Sequence, residues 1–436
     1  MGLPWQVVTT AAAPPTSAAP KQRGVAQGRE FIALVVALMI TTSFAIDLML
    51  PAFPDMRRQF GMAADSTTVT WTVTAYFYGL AIGPWLYGPI SDRHGRRRPL
   101  YVGLGVCMLA ATLAALAPTW WLVVMARFLW GLGAGAPRTL SVALVRDRYD
   151  GDAMARLMSL IMAVFMLAPI AAPMLGSALI AVFPWQSVFW FPVLMAAVTM
   201  VWMRRLPETL LPEHRRPFNA RSVAAAVGEV LRCRQTMFLT VTMTMVTGII
   251  TGFIAASQVM IEDTFGHGAW FSPCFAAIAV VLGLNGLLTA RRVTSGGAEH
   301  VLRRNVLGAV VVTGTLAVIA VAADGIPNFW LFVAVWSAAL ALSQSVNPTS
   351  NALAMAPLPH IAGTTSSVIA TITAAGGAFL GGLAADSYDG TVQPYVLHFL
   401  AYTVVAAAGV FLALRRRTPV DSGFHVTAQN DTISAP

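Results

Sequence analysis

The chain has 436 residues, of which 57% are apolar and only 11% are charged. A water-soluble domain carries about 25% charged residues, so most of this surface faces something other than water, and soluble classes are excluded. The net charge of +9 comes from arginine, with Lys21 the single lysine, and the arginines flank apolar runs instead of interleaving with aromatics; this excludes a nucleic-acid face and points to membrane topology.

Residues 1–29 are rich in Ala, Pro, Ser and Thr, and their charges follow the mildly apolar stretch, the reverse of a signal peptide. They read as a disordered cytoplasmic tail. The N-terminal half, 30–203, then holds apolar runs near 31–53, 68–89, 99–117, 120–144, 156–182 and 186–203. Each is about 20 residues long, enough to cross roughly 30 Å of hydrocarbon as a helix. In the first span Asp47 is the only acidic residue deep in a span of this half. Burial favours the neutral carboxylic acid, which makes Asp47 the candidate carrier of a coupling proton. The alternative is a hydrogen-bonded carboxylate near the outer face that never titrates, because Pro51 and Pro54 suggest that the span is ending there.

The break after the second span reads Gly-Pro-Ile-Ser-Asp-Arg-His-Gly-Arg-Arg-Arg at 88–98. Gly88, Asp92, Arg93, Gly95, Arg96 and Arg97 form a candidate conformational latch. The glycines permit a short turn, and Asp92 can pair with arginines and cap the start of the third span. A plain positive turn is the rival reading. The fourth span carries Arg127, which costs at least about 2.5–3.5 kcal/mol in hydrocarbon and should therefore face the bundle interior with a partner. Arg127 either responds to Asp47 or only braces helices; the role of Arg138 is open. Gly131 and Gly135 share a face that lets a neighbouring helix approach. In the fifth span Pro169, Pro173 and Gly176 read as a hinge, since each proline removes a helix hydrogen bond.

A linker, 204–234, precedes the C-terminal half, 235–414, whose runs lie near 235–259, 270–289, 304–323, 328–355, 363–384 and 395–414. The break after the eighth span, 286–297, weakly repeats the one after the second, with Ala290 where the aspartate would stand. Any latch there should be weaker. Gln344, Asn347 and Asn351 share one face of the tenth span, which should look inward. Phe44, Trp71, Tyr78, Trp130, Met162, Phe165, Gln258, Gln344 and Asn347 are the candidate lining of a substrate cavity, each an aromatic, thioether or amide inside an apolar span. A cytoplasmic tail, 415–436, closes the chain. With both termini inside, 24 of the 28 Lys and Arg fall on cytoplasmic segments, as the positive-inside rule demands, and an odd number of spans would destroy that asymmetry. The sequence offers no nucleotide-binding loop, no metal cluster and no nucleophile–base arrangement, so no catalytic residue, metal or cofactor is expected.

Several of these stretches resemble one family. Gly88 to Arg98 looks like the loop motif of the major facilitator superfamily, and Arg127 with Gly131 and Gly133 resembles the fourth-helix motif of its proton-coupled members, with Trp130 where that pattern has glutamine. Asp47 to Pro54 is similar to the first helix of drug:proton antiporters in the bicyclomycin-resistance (Bcr/CflA) branch, which includes chloramphenicol exporters. Val145-Arg146-Asp147, Ala168 to Gly176, Trp185 with Phe189, Leu206-Pro207-Glu208-Thr209 and Ala362 to Ser366 fit that branch in order. The fit is strong in the first half and loose in the second.

The resemblance implies an all-α membrane protein of twelve transmembrane helices in two pseudo-symmetric six-helix halves. It also implies efflux of small amphipathic, drug-like molecules from a bacterial cytoplasm, driven by the proton gradient without a cofactor, with protons and the lipid bilayer as partners and the chain acting as a monomer. A proton-coupled metabolite or nutrient symporter of the same fold is the alternative. A membrane enzyme or channel, or a sensor built on a transporter fold, are further rivals.

Overall fold

The computed structural model describes residues 25–63, 66–149, 151–210 and 220–415, and nearly all of both tails lies outside this set. Every regular element among the described residues is helical. The first half comprises α1 (Val25–Asp47), α2 (Phe53–Gln59), α3 (Trp71–His94), α4 (Arg97–Ala115), α5 (Trp120–Arg146), α6 (Gly151–Val182) and α7 (Ser187–Trp202). After α8 (Ala220–Arg232) the second half runs through α9 (Arg234–Val259), α10 (Phe271–Gly296), α11 (Ala298–Ala322), α12 (Phe329–Gln344), α13 (Val346–Met355), α14 (Ala362–Asp386) and α15 (Gln393–Leu414).

Ten helical stretches among the described residues are long and apolar enough to cross a membrane. The first joins α1 to α2 through a short 3-10 turn at Leu50–Ala52, and another joins α12 to α13. Helices α3 and α6, each interrupted in composition by two prolines, complete the twelve expected spans. The first span therefore begins at Val25, a turn and a half before the apolar run does. Part of the expected linker is also regular: α8 is a helix whose Val227 and Val230 pack with Leu358 and Val368 of the second half and Trp85 of the first.

The two halves repeat one packing plan. The first and fifth spans pair as α1 with α6 and as α9 with α14. The second and fourth pair as α3 with α5 and as α10 with α12, and the third and sixth as α4 with α7 and as α11 with α15. Across the halves, α3 runs along α14 and α6 along α10. The weak sequence repeat thus reflects a strong structural one, because lipid-immersed packing constrains residue size more than identity. Gly131 illustrates the constraint: a Cβ there would collide with the carbonyl of Tyr76 on α3, and Gly135 faces Gly83 backbone to backbone.

The loops at 95–96, 147–149, 203–210 and 297 share one end of the bundle, which is rich in arginine, whereas α2, the start of α3 and the end of α9 lie at the other.

Candidate functional site

Helix α1 stops at Asp47, as the prolines just beyond it suggested, yet Asp47 is only 3% exposed. Its Oδ1 is buried with no hydrogen-bond partner. The break is packed against α6: a Cβ on Gly176 would strike the carbonyl of Leu48 and then the ring of Pro51. Arg127 on α5 is fully buried. Its Nη1 donates to the Ala45 carbonyl at 2.7 Å and its Nε to the Thr72 carbonyl at 3.2 Å, while Nη2 finds no partner. The guanidinium also lies 4.6 Å from the ring centre of Tyr76 and 5.0 Å from that of Trp130, cation–π contacts that offset part of its desolvation. Asp47 and Arg127 interact electrostatically without a direct ion pair. An unpartnered carboxylate oxygen and an unpartnered guanidinium nitrogen thus sit within one buried cluster, an arrangement that can rearrange when the carboxyl gains or loses a proton.

Arg96, 4% exposed, is the centre of the latch segment. Its Nη1 donates to Asp92 and to the Ser91 hydroxyl, both at 2.7 Å, and its Nε donates to Asp147 at 2.8 Å. Burial opposes the Arg96 charge, but the bonds to Asp147 and Asp92 outweigh it and push the guanidinium above its ordinary value. The cap on the following helix comes from a residue other than the one expected. Glu208, not Asp92, accepts the backbone N–H groups of Arg96 at 2.8 Å and Arg97 at 3.2 Å, because its carboxylate lies over the positive end of α4. Gly95, at φ 87°, leaves the space that this carboxylate fills. Arg93 is exposed, and at Gly88 a side chain would meet nothing, so close approach is not what that glycine provides.

The hinge segment lies within an uninterrupted α6 that continues through Pro169 and Pro173. Its C-terminal part touches the other half: Ser177 Oγ and Ser272 Oγ are 2.7 Å apart, and Ser272 donates to the Pro173 carbonyl at 3.2 Å. The same end carries two further bonds between the halves. Arg57 of α2, 4% exposed, donates to Asp263 at 2.9 Å, and Thr67 donates to Asp386 at 3.3 Å. Arg57 and Asp263 stand at equivalent places just beyond the first span of each half, but opposite charges 206 residues apart give no local signal. Nearer the middle Thr371 donates to the Ala81 carbonyl at 3.2 Å. At the arginine-rich end α5 and α13 form no packed pair among the described residues. The ion pair and most of the hydrogen bonds that join the halves among the described residues are thus gathered at one end, whereas at the arginine-rich end the halves meet through α8 and Trp85.

The expected cavity lining separates into groups. Trp71 is 39% exposed at the start of α3 and meets Trp121 edge-on, an exposed pair at a helix end. Trp130 is buried inside the first half against Arg127 and Phe189. Phe44 stacks on Phe191 of α7, and Tyr78 is half-buried against the main apolar cluster. Gln258 is buried at the sealed end, where it donates to Glu262. Gln344 accepts from Asn347 at 3.4 Å, Asn347 Oδ1 has no partner, and Asn351 is exposed; α12 ends at Gln344 and α13 begins at Val346, so the row crosses a helix break. The side chains of Met162 and Phe165 lie outside the described residues. Trp71 and Trp130 stand elsewhere than expected because an aromatic in a span reports burial and not azimuth.

Residues 33–382 match the family model described as Major Facilitator Superfamily. Over 402 residues the chain is 27% identical to a bicyclomycin resistance protein homolog of Haemophilus influenzae, covering 88% of this chain and 96% of that one. It is 31% identical over 60% of its length to the uncharacterized MFS-type transporter YdgK of Bacillus subtilis, spanning 64% of that protein. To the multidrug resistance protein MdtL of Escherichia coli it is 29% identical over 54% of its length, spanning 59% of that protein. Among solved structures, the human organic anion transporter MFSD10 (TETRAN) aligns with a TM-score of 0.65 at 20% identity, covering 88% of this chain and 99% of that one. A D-xylose-proton symporter aligns with a TM-score of 0.69 at 14% identity, covering 88% and 97%. At these identities the two structures speak to the fold alone. With the matched region spanning most of its length and the doubled six-helix plan in place, the chain belongs to the Major Facilitator Superfamily.

Proposed function

We propose that this transporter exports small amphipathic, drug-like molecules from a bacterial cytoplasm in exchange for protons, across the cytoplasmic membrane in which it is a multi-pass protein. The observation that carries the reading is the buried carboxylate of Asp47, one oxygen of which has no partner, beside a fully buried Arg127, in a chain similar along nearly the whole length of a bicyclomycin resistance protein homolog. The positive-inside rule assigns the arginine-rich end and both termini to the cytoplasm, so the bonded Arg57–Asp263 end is the outer gate, closed here.

Mechanistically, protonated Asp47 is neutral and leaves Arg127 on the Ala45 and Thr72 carbonyls. Loss of the proton restores a negative charge in low-dielectric surroundings and draws the guanidinium toward it. The break after Asp47 transmits the change, because the Leu48 carbonyl rests on Gly176, one residue before the Ser177–Ser272 contact of the outer seal. Two states of a packed interface, biased by one proton, are what alternating access requires. The proton motive force supplies about 2.3 kcal/mol per charge per 100 mV, enough for more than a tenfold gradient. The chain acts as a monomer and needs no cofactor.

A resistance panel in an efflux-deficient host tests the reading. Expression should raise tolerance to several amphipathic antibiotics, and an uncoupler should abolish the accompanying dye efflux. Accumulation of cargo inside the cells would instead support a proton-coupled symporter.

A further inference from the structure

Arg138 takes no part in the scheme above. It lies eleven residues beyond Arg127 on α5, three turns along, so the two share a face. Arg127 shows where that face points, since it bonds to α1 and α3 inside the bundle. Trp121 and Met125, the outward residues of α5, are 61% and 65% exposed and stand roughly 100–140° away around the helix, at about 100° per residue. Yet Arg138 is itself exposed, and it has no hydrogen bond or ion pair among the described residues. It is near enough to the buried Tyr76 to interact with it electrostatically, which sets it deep among the helices. An exposed guanidinium on a face that looks into the bundle is a charge that a solute there can reach.

The second half carries a polar row at the equivalent place. Helices α5 and α12 begin at equivalent places, Trp120 and Phe329, and Arg138 stands as far from its start as Asn347 does. Asn347 lies between Gln344 and Asn351, and its unpartnered Oδ1 leaves that amide row incompletely satisfied. The carboxylates of the spans lie elsewhere: Asp47 is buried at the α1 break, and Glu262 is beside the outer seal. Among the described residues, a solute at this depth therefore meets the Arg138 charge and a row of amides.

We propose that Arg138 selects the cargo by pairing with an anionic group, so that the transporter takes amphipathic molecules bearing a carboxylate, zwitterions included, in preference to permanent cations. A carboxylate binds a guanidinium in bidentate fashion, and the amides opposite accept or donate to the polar part of the same molecule. This deepens the efflux reading and rests on it.

The test uses full-length protein and three probes: a zwitterionic fluoroquinolone, neutral chloramphenicol and the permanent cation ethidium. Binding to purified protein in detergent is measured for wild type, Arg138→Gln, Arg138→Glu and Arg138→Lys, together with uptake into inverted vesicles energised by acid inside. Arg138→Gln should weaken fluoroquinolone binding by about tenfold while chloramphenicol changes less than about twofold. Arg138→Glu should reverse the preference toward ethidium, and Arg138→Lys should restore most of the fluoroquinolone affinity. A parallel fall for all three probes, equal fluoroquinolone affinity in wild type and Arg138→Gln, or no fluoroquinolone binding by wild type overturns the assignment. Wild-type vesicles that move none of the probes overturn the efflux reading instead, and the detergent binding data still decide the role of Arg138.

Discussion

At Arg96 two aspartates and a serine converge on one guanidinium, and Glu208 closes the helix start beside it. Removing the cation leaves Asp147 largely buried without its charge partner, so Arg96→Gln should cost about 2 kcal/mol and lower the unfolding temperature in detergent by several degrees. The pH dependence follows from the raised guanidinium. A cation held above its ordinary value contributes its full stability below the unfolded value and loses it only as pH rises through the folded one, and both lie far above neutrality. The unfolding temperatures of wild type and Arg96→Gln, measured between about pH 6 and pH 9, should therefore differ by a constant amount so far as this arginine is concerned. A gap that closes as the pH rises toward neutrality and beyond would show that the bridge is not held by a permanently charged guanidinium. Asp47 and Arg127 were legible in the sequence because a charge in an apolar run stands out against its own neighbours. Glu208 as the helix cap was not, because 112 residues separate it from the N–H group it accepts.

Helices and their ends carry the next level of the account. The outer seal is made by α2 against the end of α9, by the residues before α3 against α14, and by α6 against α10. Arg57–Asp263 is an ion pair within it, with the arginine almost fully buried. Asp263→Asn should shift the balance toward the outward-open state, increasing labelling of a Ser272→Cys reporter by a membrane-impermeant maleimide about fivefold, the effect of roughly 1 kcal/mol. Unchanged labelling would remove the bridge from the gate. The number of spans, the prolines of α6 and the break after Asp47 were legible at this scale, since each leaves a local mark in composition. The azimuth of Trp71 and Trp130 was not, because which side of a helix meets lipid depends on neighbours distant in sequence.

For the whole molecule the arrangement is two six-helix halves bonded to each other at the Arg57–Asp263 end, with a titratable group where the first helix breaks. Neither half alone contains the switch: the carboxylate belongs to the first, while the contacts it would disturb are shared with the second through Ser272 of α10. Such a molecule converts a proton gradient into a cargo gradient only if protonation and conformation are linked. The measurement that tests this most directly is cargo uptake into acid-inside inverted vesicles by wild type and Asp47→Asn, with cargo exchange in the absence of a gradient measured beside it. The account predicts that the asparagine variant, fixed in the neutral form, loses gradient-driven accumulation by more than tenfold while still exchanging cargo across the membrane. Asp47→Asn vesicles that accumulate cargo with the wild-type dependence on the pH difference would contradict it.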